Sequence, residues 1–371
     1  MIAFTNELPG RKVRLKDGST ALWFGGTDYL GMGHSECYRN YIQEGMTRFG
    51  THYGSSRQGN LRIDTFEETE NELAIYARAP ACLTVSSGML AGHLLHQEIK
   101  RLARKHAHDV QAHLPVHYHY APGLHPTLWG PAYTPNHNSW ASWAENTLKD
   151  INTSHESIHL IFTDTVRSPW VEAYDFEIFR TLSDNRQVWL IADDSHGLGL
   201  RGLDGKGAYE HLSQPFNGNL ILLSSLNKAL GIPAGAIWGP VTVMQELRHS
   251  PWFAGASPAL PANLYALQQL LRQDYYPTAL QKLRENILYF HTLFQPTTLF
   301  NHIPNYPVYC NSQIDLFKFL TQEGILGSCF SYPKASDPPA LRLVLSAIHE
   351  KEDIEKLAVS CHAFEAGGIK L

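Results

Sequence analysis

The chain has 371 residues, 43% hydrophobic and 18% charged, the composition of a globular protein with ample material for a large core. A net formal charge of −5, with no Lys/Arg run along one face, argues against nucleic acid or an anionic membrane as the main partner. No segment reaches the roughly 18 consecutive apolar residues of a membrane span, and the start MIAFTNELPGRKVRLKDGS lacks a positive-then-apolar signal arrangement, so a cytoplasmic location is expected. The cysteines Cys37, Cys82, Cys310, Cys329 and Cys361 are odd in number and scattered, forming neither a CxxC site nor a disulfide framework, so buried free thiols are expected.

In chain order, short apolar runs alternate with helical patterns from about residue 75 to 240, which predicts a mostly parallel sheet wrapped by helices. The strand candidates are ACLTVSS (81–87), SIHLIFTD (157–164), RQVWLIADD (186–194), NLILLSS (219–225) and AGAIWG (234–239). Between the first two lies a basic, His-rich stretch with His106, His108, His113, His117 and His119, read as a polar edge; no Cys or carboxylate sits at a ligand-like offset, and no metal is expected. SPWFAGA (250–256) suits either an acyl pocket or a core or dimer-interface role, with the latter favoured. Further on, LRLVLS (341–346) reads as a strand, and HEKEDIEKLAVSCHAF (349–364) puts Ile354, Leu357, Ala358 and Cys361 on one helical face. The expected division is a large domain over 35–262 and a smaller α+β domain from 1–34 and 263–371.

In open α/β sheets ligands bind beyond the carboxyl ends of the strands, so the residues after each run are the place to look for chemistry. IADDSHGLGLRG ends a strand with Asp193 and sets His196 before a Gly-rich turn. SSLNK then follows another strand and ends on Lys228, preceded by the hydroxyls of Ser224 and Ser225. Upstream, TVSSGMLAG (84–92) runs from a strand into a helix, where free N–H groups and the positive helix end suit an anion. Each feature has an ordinary counterpart: a local cap, a surface lysine, a plain strand-to-helix turn. Together they match the needs of pyridoxal 5'-phosphate, namely an amine, an acid for the pyridine nitrogen, a ring-stacking group and a phosphate cradle.

The chain resembles the α-oxoamine synthase family of fold-type I (aspartate aminotransferase-like) pyridoxal-phosphate enzymes. The resemblance is carried by DYLGMGH (28–34), FEETENELA (66–74), SSGMLAG (86–92), the HPT of GLHPT (125–127), ADDSHGLGLRG (192–202), SSLNK (224–228), AGAIW (234–238) and LRLVLSAIHEKEDIEKL (341–357), in family order. It implies Lys228 as the Schiff-base lysine, Asp193 as partner of the pyridine nitrogen, His196 at the ring oxygen and His125 stacked on the ring. It further implies phosphate contacts from Gly88, Met89 and Ser225, and a nearby hydroxyl from Ser168. Arg342 corresponds to the substrate-carboxylate arginine. A homodimer with active sites at the interface is implied, in which Ser257 could supply a phosphate-side hydroxyl to the partner. The activity implied is condensation of an amino acid with an acyl-CoA, with aminotransferase chemistry or non-catalytic binding of the cofactor as alternatives.

This sequence departs from the family in three places. Thr27 stands where the family has a carboxylate-binding Asn, and Phe66 where a His is customary, so altered substrate contact is expected at both. The family's N-terminal helical segment is expected to lack a counterpart here, so acyl-CoA contacts unlike the family's are expected.

Overall fold

The computed structural model describes residues 2–108, 113–154, 156–182, 187–216, 219–332 and 334–367. Its organising element is a six-stranded sheet with the spatial order Ala81–Val85, Gly235–Gly239, Leu220–Ser225, Gln187–Asp193, Ile158–Asp164 and Val116–Tyr120. The last four run parallel, as strands buried on both faces by helices do. Alternate residues feed two apolar layers. Trp189, Ile191, Ile221, Leu223 and Ile237 meet Leu94, Leu95, Ile99 and Leu102 of the helix Gly88–His106 on one face. Leu190, Ala192, Leu222 and Trp238 point into the larger core on the other face.

One strand departs from the expected direction. Gly235–Gly239 is antiparallel to both neighbours, because the link from Ser225 is too short for the crossover helix a parallel return needs. The chain turns back on itself through Leu226 N–H to Ala234 O at 2.9 Å and Gly231 N–H to Lys228 O at 3.1 Å. Gly231 has φ +68° and lies against Met32, where a Cβ would come within 2.2 Å of the Met32 Cβ, so no larger residue fits this turn. Lys228 is therefore held in a tight reversal at the sheet's carboxyl edge.

A second six-stranded sheet joins the two ends of the chain. Thr20–Phe24 pairs in parallel with Ile325–Ser331, which continues through Pro339–Val344 to Val308–Asn311. The helix Lys351–Glu365 closes it, opened by a capping box between Glu350 and Asp353, and buries the expected Ile354, Leu357, Ala358 and Cys361.

The His-rich stretch forms the edge strand Val116–Tyr120, with 109–112 lying outside the described residues. His117 stacks on His159 at 5.1 Å, and His119 Nε2 lies 3.1 Å from His159 Nδ1. Among the described residues no cluster of His, Cys, Asp or Glu is placed to hold a metal, and no helix is long and apolar enough to cross a membrane. All five cysteines are free. Contrary to expectation, Cys37 and Cys329 are only half-buried, the former on the first turn of the partly exposed helix Glu36–Phe49 and the latter on a strand whose far end faces outward.

Candidate active site

The carboxyl ends of the parallel strands bring two carboxylates side by side. Asp193 and Asp164 end adjacent strands and are register partners, both almost wholly buried. Asp193 Oδ1 accepts the Ser195 N–H at 2.8 Å, while its Oδ2 lies 4.0 Å from His125 Nδ1. Asp164 accepts the His125 backbone N–H at 2.9 Å. Burial, reinforced by the neighbouring Asp193 charge, holds Asp164 well above the usual carboxylate range. Asp164 thus favours the neutral form.

His125 is fixed by Pro126 after it and by Thr127, whose Oγ1 lies 2.8 Å from Nδ1. Burial lowers its pKa, against the opposing pull of Asp193. The Tyr332 ring lies nearly parallel to it, 6.2 Å away at 19°.

A second line of contacts runs through the lysine. Lys228 Nζ is 3.0 Å from His196 Nε2, His196 Nδ1 is 2.9 Å from the Tyr29 hydroxyl, and Arg342 Nη2 donates to that hydroxyl at 2.6 Å. Arg342 Nη1 donates to the Gly26 carbonyl at 2.9 Å, and its Nε is buried without a partner. Burial brings the Lys228 amine down to about 8, with Asp193 and Asp164 pulling the other way. Burial also pushes His196 well below its ordinary value, helped by the charges of Lys228 and Arg342. The amine is therefore released from its proton far more readily than a surface lysine.

The third component is the start of the helix Gly88–His106. Ser87 caps it by accepting the Leu90 N–H at 3.1 Å. Gly88 is pressed onto the end of the neighbouring strand: a Cβ there would lie 2.9 Å from the Ser225 Cβ and 3.0 Å from its N. Ser225 in turn donates its N–H to Ser195 Oγ at 2.7 Å, tying this helix start to the loop that follows Asp193. The resulting niche has first-turn N–H groups and a serine hydroxyl, a donor set suited to a phosphate dianion.

The other expected residues divide. Thr27 adjoins Gly26, whose carbonyl Arg342 holds, so it stands beside the arginine. Met89 is exposed with its Sδ accepting from Thr127 Oγ1 at 3.0 Å, which ties it to the His125 turn. Ser168 and Ser257 have no described contact to the Lys228 group; Ser257 is exposed in the loop before the helix Pro261–Arg272.

Phe66 belongs to a separate packed cluster. It is buried in the core of the helix Thr65–Ala77, 5.3 Å edge-on to Tyr53 and 4.3 Å beneath the Arg57 guanidinium, which is itself paired with Glu70 at 2.5 Å. Phe253 of the SPWFAGA stretch joins the same group, 5.2 Å from Arg57, in keeping with the core role favoured for that stretch.

Two site residues escaped sequence reasoning. Tyr29 lies inside DYLGMGH and Asp164 at the end of SIHLIFTD, and for Asp164 the strand-end rule was signal enough. For Tyr29 no spacing links it to partners 167 and 313 residues away.

No family model matches the chain. It is 25% identical over 383 aligned residues to the 8-amino-7-oxononanoate synthase of Dechloromonas aromatica, covering 95% of this chain and 92% of that one. To the enzyme of the same name from Methylococcus capsulatus it is 26% identical over 353 residues, covering 92% and 88%. By sequence it is α-oxoamine synthase-like. The fold of this α-oxoamine synthase-like chain is type I of the pyridoxal-phosphate enzymes: Sphingomonas wittichii serine palmitoyltransferase superimposes with a TM-score of 0.79 at 16% identity, over 99% of this chain and 93% of that one.

Proposed function

We propose that the chain is a pyridoxal-phosphate-dependent acyltransferase, similar to 8-amino-7-oxononanoate synthase, that condenses an amino acid with an acyl-CoA to give an α-amino ketone. The observation that carries this reading is the buried Lys228 amine, 3.0 Å from His196 and linked through it and Tyr29 to Arg342, whose buried Nε has no partner. The residues fit the cofactor: Asp193 leaves one carboxylate oxygen without a close partner for a pyridinium nitrogen, His125 offers a ring face, and Gly88 and Ser225 form a niche that any side chain at Gly88 would fill. When bound, pyridoxal phosphate supplies an electron sink for negative charge at the amino acid's α-carbon.

The protein's own part follows from its geometry. Lys228 Nζ is the group that holds the cofactor and then takes the α-proton, a task for which an amine near 8 is matched to neutral conditions. Arg342 keeps three N–H donors after serving Gly26 and Tyr29, and these bind the substrate carboxylate in the manner of a guanidinium fork. Asp193, closed off from water, stays paired with the ring nitrogen. The reading includes a cytoplasmic homodimer of chains with a large domain over 35–262 and a small domain from 1–34 and 263–371; the exposed Ser257 is available to reach into the partner.

The test is a mass-spectrometric screen of amino acids crossed with acyl-CoAs, with Lys228→Ala as the blank and free CoA thiol measured in parallel. An α-amino ketone formed with stoichiometric CoA release supports the reading. Conversion of the bound cofactor to pyridoxamine phosphate by an amino acid alone, with no CoA released from any acyl-CoA, overturns it in favour of transamination.

A further inference from the structure

The proton on the His196 ring can be located by counting donors around Tyr29. Arg342 Nη2 can only donate, and it gives its hydrogen to the Tyr29 oxygen at 2.6 Å. The hydroxyl's own hydrogen then needs an acceptor, and Tyr29 is 0% exposed, so bulk water does not provide one. Its neighbour Tyr306 gives its own hydrogen to the His196 carbonyl at 2.8 Å, which leaves the Tyr306 oxygen able to accept, so the choice lies between that oxygen and the His196 ring. The ring nitrogen Nδ1 of His196, 2.9 Å away, is the well-placed acceptor. A proton on Nδ1 would set it against the Tyr29 hydrogen. With Nδ1 accepting, the proton of the neutral ring sits on Nε2 and points at Lys228 Nζ, 3.0 Å off.

We propose that Tyr29 is a positioning residue: its hydroxyl, held by Arg342, locks His196 as the Nε2–H tautomer, so that the imidazole presents a donor and not an acceptor to the lysine side of the site. The groups facing the ring agree with a neutral His196, because Lys228, Arg342 and His125 are all cationic or capable of becoming so, and Tyr306 approaches only its carbonyl. A donor on Nε2 also suits Lys228 as a free amine, whose lone pair accepts it, and disfavours the ammonium, which has no lone pair to offer. Tyr29 thus connects the arginine expected to bind substrate with the amine expected to hold the cofactor, through one imidazole. Its functional meaning rests on the function proposed above, but the tautomer itself does not.

The experiment uses the full-length chain with 15N-labelled histidine, first without and then with pyridoxal phosphate, and reads the His196 tautomer from two-bond 1H–15N correlations at about pH 9.5, above the Lys228 midpoint so that the amine is free, with His196→Asn to assign the signals. The expected result in the wild type is Nε2–H in both states. An Nδ1–H tautomer at that pH, with the Tyr29 hydroxyl turned to Tyr306, overturns the proposal without any variant having to fold. In Tyr29→Phe the lock is gone, so the Nδ1–H form should appear and Lys228, now able to donate to Nε2, should titrate about one pH unit or more higher in the cofactor-free chain. That midpoint is read from the pH dependence of its modification by a small aldehyde with borohydride trapping. A Tyr29→Phe protein with an unchanged tautomer and an unchanged Lys228 midpoint overturns the proposal. Failure of the proposed acyl transfer, with the tautomer as expected, counts against the function alone.

Discussion

Lys228 Nζ and His196 Nε2 face each other at 3.0 Å with both side chains enclosed, so burial disfavours the cationic form of each. This has a measurable consequence for the cofactor-free protein. Burial brings the folded amine down to about 8, against 10.5 for an exposed lysine. Below about pH 8 both folded and unfolded chains carry the ammonium, and the folded one bears the full desolvation cost. Between 8 and 10.5 only the unfolded chain is protonated, so stability rises with pH; above that window the cost is gone. Lys228→Met should therefore stabilise the cofactor-free chain by on the order of 3 kcal/mol at pH 7, and the gain should fade once the pH passes 10.5. Denaturant melts of both proteins at neutral and high pH check this, and an equal gain at the two pH values would refute it.

Gly88→Ala tests the phosphate niche. The new methyl would press on Ser225 Cβ and N at 2.9 and 3.0 Å, and backbone cannot turn aside. The helix start must retreat, at a stability cost of about 1–3 kcal/mol, and its N–H groups retreat with it. Pyridoxal phosphate should bind at least about tenfold more weakly by absorbance titration, whereas Met89→Ala, which leaves backbone donors in place, should bind within a few-fold of wild type. Unaltered affinity in Gly88→Ala would place the phosphate elsewhere.

Arg342→Lys removes the fork that holds the Gly26 carbonyl and the Tyr29 hydroxyl together. A single ammonium cannot serve both and also grip a carboxylate, so KM for the amino acid should rise about tenfold or more. Steady-state kinetics decide, alongside the visible spectrum of the bound cofactor, which should persist. A KM that stays put would remove Arg342 from the carboxylate site.

Phe66→His, which restores the residue customary in the family, should restore nothing. Phe66 is 2% exposed, packed on Tyr53 and under the Arg57 guanidinium. Placing an imidazole there costs about 1–3 kcal/mol of stability and should leave kcat within a few-fold. A large gain in activity would show that this helix reaches the substrate after all.

The local arithmetic of the sequence reaches far into this protein. Apolar runs such as Ile158–Asp164 are buried along their whole length, and a chain that must bury such strands on both faces has little choice but a helix-wrapped sheet. Asp193, Lys228 and Ser225 were legible because each comes directly after such a run, and strand ends at one edge converge on a common point. The helix face of Ile354, Leu357 and Cys361 was readable for the same reason, a period that fixes which residues share a side.

Tertiary structure decided the rest, because partners far apart in sequence are chosen by packing and not by spacing. It reversed Gly235–Gly239, since the short link after Ser225 leaves room only for a turn. It buried Phe66 under Arg57 where sequence comparison alone suggested altered chemistry. It brought Tyr29 from the N-terminal segment against Arg342 from the C-terminal sheet, 313 residues away, and placed His196 between that pair and Lys228. Sequence thus named the groups that can do chemistry; only the folded chain, by excluding water and joining them, set the protons they carry.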